Sequence, residues 1–279
     1  MFDNSMPCTI SPLIMDSPFF FKLGLSFIVG SVWVTLATVA AEKYGSRIGG
    51  LIAGLPSTSV VALLFIGITQ TPLVASDATT VMPIAQGLNG LYIIIFLLLA
   101  GRGLLPGLTG ALLLWFSMAG ILASTGIRDF SVSIAAWILL VSGCYLLVEK
   151  YMEIPSMGRI NIHYTPAQIA IRAFFSGTVI AFAVFMGRFG GPIYGGIFAT
   201  FPAVFTSTLV ISHLTGGADF SRAVAKSLMV SGMVNVPLYA IAVRYLYVWL
   251  GLAFGTAAAL GFSCATGYLT YLFIRTRLS

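Results

Sequence analysis

Charge is the scarcest property of this sequence. Asp, Glu, Lys and Arg make up 8% of its 279 residues, while 58% are hydrophobic. A soluble domain carries roughly 25% charged residues to clothe its surface, so a water-soluble fold is excluded. Histidine occurs twice and cysteine three times. His163 and His213 stand far from each other and from Cys8, Cys144 and Cys264. No pair has metal-ligand spacing, and no Ser/His/Asp arrangement offers a nucleophile. The expectation is therefore a protein that is not an enzyme and holds no cofactor. The net charge of +6 lies in short loops rather than in a basic tract, which argues for membrane topology and against a nucleic-acid partner. The first residues lack the basic start of a secretory signal, so 1–18 is expected to remain as an extracytoplasmic tail.

What is present is a series of apolar runs of about 20 residues, the length that crosses a bilayer as helix. Nine spans are expected, near 19–41, 47–70, 79–101, 104–125, 131–150, 168–187, 192–213, 222–246 and 251–274. All eight acids (Asp3, Asp16, Glu42, Asp77, Asp129, Glu149, Glu153 and Asp219) then fall in loops, tails or helix ends. With the N-terminus outside, ten of the fourteen basic residues face the cytoplasm and four face out, as the positive-inside rule requires. The expected location is the inner (plasma) membrane, N-terminus outside and C-terminus cytoplasmic, with the lipid bilayer as the first partner.

The chain also repeats. "RIGGLIAGLPS" (47–57) and "IYGGIFATFPA" (193–203) align at an offset of 146 residues. That offset pairs Gly49 and Gly50 with Gly195 and Gly196, Ala53 with Ala199, Pro56 with Pro202, and Asn89 with Asn235. An odd number of spans separates the copies, so the second must be inverted. The predicted fold is all-α: a first four-helix repeat over 19–125, a linker helix and cytoplasmic loop over 126–166, and a second, inverted four-helix repeat over 167–279. Folds of this kind bind solutes near the midplane, between the repeats, at broken helices. Each proline removes an N–H inside an apolar span, and nearby hydroxyls stand ready to satisfy the backbone. The candidate solute-binding residues are accordingly Pro56, Ser57, Thr58, Ser59, Asn89, Pro202, Thr206 and Asn235. No ionisable group is expected at the midplane, so a proton-coupling carboxylate has no place there.

The stretch "YGGIFATFPAVFTSTLVISHLTGG", with Gly195, Gly196, Phe201, Pro202 and Phe205, resembles the GlpM family of small bacterial membrane proteins. The first repeat is a looser copy, with Leu55 and Ser59 in place of the two phenylalanines. The resemblance implies kinship of fold over about 168–275 and names no substrate. From the residues, the expected activity is transport of a small polar or anionic solute. The alternatives are a small-anion channel and a non-transporting scaffold for envelope biogenesis.

Overall fold

The structure is a computed structural model that describes residues 17–43, 56–152 and 164–277. Every element among these residues is helical. The order is α1 (Ser17–Lys43), α2 (Ser57–Thr69), α3 (Pro72–Ala78), a 3-10 turn (Thr79–Val81), α4 (Met82–Leu99), α5 (Leu104–Thr125) and α6 (Phe130–Leu146). A π turn, α7 (Pro166–Phe189), α8 (Pro192–Ala199) and a long helical run, α9 (Ala203–Arg277), follow. Among the described residues six stretches are long and apolar enough to cross a membrane: Ser17–Ala40, Pro72–Arg102, Leu104–Thr125, Phe130–Lys150, Pro166–Phe189 and Pro192–Leu269. Gly49, Gly50 and Ala53 of the first motif, His163, and the tail with Cys8 lie outside the described residues.

The last stretch is not one rod. As a straight helix the 75 residues of α9 would run about 110 Å, far beyond the roughly 30 Å hydrocarbon core. It is interrupted at Gly217 (φ 77°) and Gly251 (φ 70°), positive φ values that glycine adopts without a Cβ penalty. The chain folds back at both. His213 Nδ1 lies 3.2 Å from Ser221 Oγ across the first break, and Tyr247 OH lies 2.8 Å from Thr256 Oγ1 across the second. Residues eight or nine apart on a continuous helix would be about 12–13 Å apart along its axis. The run thus consists of helices 203–216, 218–250 and 252–277.

One proline sits inside a helix. Pro237 cannot supply the N–H that Met233 O would accept, and the indole N–H of Trp137 on α6 donates to that carbonyl at 2.8 Å. The backbone is thereby satisfied where lipid offers no water. Elsewhere prolines stand at helix starts, where no N–H is needed. Pro72 opens α3 behind a Thr71 cap, so the third apolar stretch starts at Pro72 rather than near residue 79.

Burial sorts the helices. In Pro72–Arg102, 61% of the most apolar window is buried, against 17–33% in the other five. The segment α3–α4 is therefore the axis of the bundle, and the others turn apolar faces outward, as at Leu139, Trp249 and Phe254. Helices α1 and α7 pack antiparallel. Phe19 meets Phe189 at 5.6 Å between ring centroids, Ser31 Oγ donates to Ala173 O at 3.0 Å, and Ser31 lies against Gly177. A methyl at Gly177 would strike Ser31 Oγ and Phe27 O, so the small residue sets how closely the backbones approach.

Candidate functional site

The two sequence breaks come together. Pro56 is the residue before α2, and Pro202 the residue before α9. Both line one cavity of about 40 Å³, with Ser57, Thr58 and Ser59 from α2, Gln86 and Asn89 from α4, and Gly232 and Val236 from helix 218–250. Thr200, Phe201, Val204 and Phe205 close the remaining side. Among the described residues no charged side chain lines it. At about 10–15 Å³ for each water-sized particle, such a space holds about three.

The backbone around the break has a one-sided hydrogen-bond balance. Ile197 O accepts from Thr200 N–H, and Phe198 O from Phe201 N–H. Ala199 O accepts from Ser59 Oγ at 2.8 Å, a bond that ties the start of α2 to the end of α8. Thr200 O accepts from Asn89 Nδ2 at 2.8 Å. Phe201 O accepts from Ala203 N–H, and Pro202 O from both Thr206 N–H and Thr206 Oγ1. Pro56 O accepts from Val60 N–H. Every carbonyl from Ile197 to Pro202 therefore accepts at least one bond. The donors are not so matched: the N–H groups of Ser57, Thr58 and Ser59, and of Val204 and Phe205, precede the first intrahelical bonds of their helices and find no acceptor among the described residues. Ser57 is 8% exposed, and its hydroxyl has no partner among the described residues.

A buried polar chain holds this arrangement. Asn89 Nδ2 also donates to Gln86 Oε1 at 2.9 Å, Asn89 Oδ1 accepts from Trp115 Nε1 at 2.8 Å, and Gln86 Nε2 donates to Gly232 O at 3.0 Å. Trp115 packs edge-on to Phe201 at 4.9 Å, so the same indole fixes an amide and the wall of the break. Because the Thr206 hydroxyl proton goes to Pro202 O, Tyr92 OH is the donor in its 2.9 Å contact with Thr206 Oγ1.

Of the residues expected at the site, Pro56, Ser57, Thr58, Ser59, Asn89 and Pro202 line the cavity. Thr206 and Asn235 do not. Thr206 turns back to bond Pro202 O, four residues earlier. Asn235 is buried on helix 218–250, beside the lining residue Val236 but on another face of that helix.

No family model, no curated protein and no solved structure matches the chain. The site must be read from its own chemistry.

Gln86, Thr200 and Gly232 were not among the expected residues. The signal for the first and last was present, because Gln86 and Gly232 are 146 residues apart, the offset of the two motifs. Arg172, near the start of α7, is 7% exposed between α7 and α9, where Nη1 donates to Thr208 Oγ1 at 2.8 Å and its guanidinium faces the Tyr164 ring at 5.7 Å. No carboxylate pairs with it among the described residues. The ion pairs there join Lys226 to Glu149 at 2.8 Å and Arg222 to Asp219 at 3.9 Å. A second, open depression of about 650 Å³ lies between the α5–α6 turn and helix 218–250. Arg128 and Arg244 line it, and Arg244 stacks on Phe130 at 4.4 Å.

Proposed function

We propose that the protein is a membrane transporter that passes a small polar or anionic solute through a site between two inverted halves. One observation carries this reading. Pro56 and Pro202 occupy matching positions in two motifs 146 residues apart, and the half-helices that follow them open onto one cavity. Broken helices that meet inside a bundle are where transporters bind their solutes.

Other contacts support the inversion. On a two-fold axis a residue meets its own equivalent. Gln86 bonds Gly232, and Ser31 touches Gly177, each pair separated by the motif offset. Helices α1 and α7, the first of each proposed half, run antiparallel, as an axis in the membrane plane demands. The count of nine crossings, with the second near 47–70, and kinship with GlpM-like proteins remain part of the proposal. The same count puts the C-terminus in the cytoplasm of a cell whose plasma membrane holds the protein, with the N-terminal tail outside. A fluorescent protein fused after Ser279 is expected to be bright, and alkaline phosphatase at the same point inactive. The reverse pattern would sink the orientation.

The function is tested by plugging the site. Thr58→Leu adds bulk to a cavity that holds about three water-sized particles and removes no hydrogen bond made in the structure. In proteoliposomes given a panel of small ions and neutral solutes, the wild type is expected to pass at least one. Thr58→Leu is expected to cut that flux at least tenfold while keeping wild-type yield and melting temperature. Unchanged flux in Thr58→Leu would place the pathway elsewhere.

A further inference from the structure

We infer that the cavity at Pro56 and Pro202 takes a small monovalent inorganic anion of halide size and excludes cations; the inference rests on the transport reading above and names its solute class. The sign of the charge follows from which hydrogen-bonding groups are spare. A cation needs oxygen lone pairs. The carbonyls at the break already accept bonds, from Asn89, Ser59, Thr206 and their own turn, and Gly232 O accepts from Gln86. An anion needs donors, and donors are what remain: the first N–H groups of α2 and of helix 203–216. Independently of the helix ends, the Ser57 hydroxyl lines the cavity, is 8% exposed, and has no partner among the described residues. As a lining group it is open to the cavity rather than enclosed, and a bound anion would accept from it.

The magnitude of the charge follows from what is absent from the lining. Among the described residues no Lys, Arg or His faces the cavity, so the compensating charge they supply is that of two helix starts, each about half an elementary charge. Together they match one negative charge and fall short of two. The volume of about 40 Å³ admits a stripped halide and is too small for a hydrated ion or a metabolite.

The test has two readouts. The first is the melting temperature of the purified, detergent-solubilised protein in sodium fluoride, chloride or bromide against sodium gluconate at equal ionic strength, with potassium exchanged for sodium as the cation control. A ligand that binds the folded state raises the midpoint. At least one halide is expected to stabilise the wild type over gluconate, and the cation exchange to change nothing. In Ser57→Ala, and separately in Thr58→Val, the apparent halide affinity is expected to fall roughly tenfold to a hundredfold, as for a lost hydrogen bond to a charge. The second readout is halide and potassium flux in proteoliposomes, expected to show halide passage alone. Equal stability in all salts, or a halide response unchanged in both variants, overturns the anion site. Flux of potassium or of a neutral solute without halide overturns it too, but leaves the transport reading standing. Halide-specific stabilisation without flux of any solute supports the anion site and overturns the transport reading.

Discussion

Replacing Asn89 by leucine is expected to lower the melting temperature of the purified protein by roughly 5–15 °C. Leucine is close in volume, so the effect is electrostatic rather than steric. Three groups lose their partner at once: the Trp115 indole N–H, the Thr200 carbonyl and the Gln86 carbonyl oxygen. All belong to buried residues, and only Gln86 and Thr200 border the cavity, where a water could reach them. Interhelical hydrogen bonds in membranes contribute about 0.6–2 kcal/mol each, and an abandoned buried group costs about 1–3 kcal/mol. A total of about 2–5 kcal/mol follows, large against a typical net stability of about 5–15 kcal/mol. Ser117→Ala is the control, an exposed hydroxyl bonded only to its own helix at Leu113 O, and is expected to shift the midpoint by under about 2 °C. If Asn89→Leu melts like the wild type, the amide is not the clasp that the geometry describes.

Gly196→Ala is expected to prevent accumulation of folded protein, or to leave it destabilised by about 3 kcal/mol or more. A Cβ at this position would land on the carbonyl oxygen of Ala78, with the carbonyl carbon at 3.0 Å. That neighbour is backbone at the junction of α3 and the 3-10 turn, and it cannot rotate aside as a side chain would. Helix α8 would have to lift from the turn, and Thr200 and Phe201 at its end would move with it, pulling the Thr200 carbonyl from Asn89. Gly120→Ala is the matched control, because nothing lies within 4 Å of a Cβ there. Size-exclusion profiles and yields of the two variants decide the matter; a well-folded Gly196→Ala protein would mean that α8 and the turn are not in contact.

The sequence announced its breaks loudly and its walls hardly at all. Pro56 and Pro202 were legible because proline in an apolar span disrupts the backbone whatever surrounds it, and because one offset linked them. The neighbouring Ser57 and Thr58 came with them. The face on which a later residue falls is harder to read. Thr206 is one turn past Pro202, and its hydroxyl could serve the cavity or the helix carbonyl; only packing against Tyr92 decides for the latter. Asn235 looked equivalent to Asn89, but the Trp115 partner that makes Asn89 a clasp comes from α5, a long-range contact that no local pattern encodes. Val204 and Val236, which also line the cavity, are apolar residues in apolar helices and carry no signal of their own. The burial of Arg172 was not legible for a related reason: its partner Thr208 lies on a helix 36 residues away in sequence. The fold class was legible from composition; the reversals at Gly217 and Gly251 were legible as loops, although the helical run passes through both with a single positive-φ residue as its hinge.

The contact between Gln86 and Gly232 bears on ancestry. In a homodimer, whatever side chain lies on the two-fold axis is present twice at one point. Two glutamines there would compete for the same space, and two glycines would leave a void. A single gene carrying both halves escapes that constraint. It can set a long amide on one side of the axis and nothing on the other, so that the amide spans the centre and bonds the opposite backbone. Ser31 against Gly177 repeats the solution, with a hydroxyl facing a bare Cα. On the reading of two inverted halves, fusion let each partner specialise at the places where symmetry forbids it, and separating the halves into two copies of either one would recreate the clash or the hole.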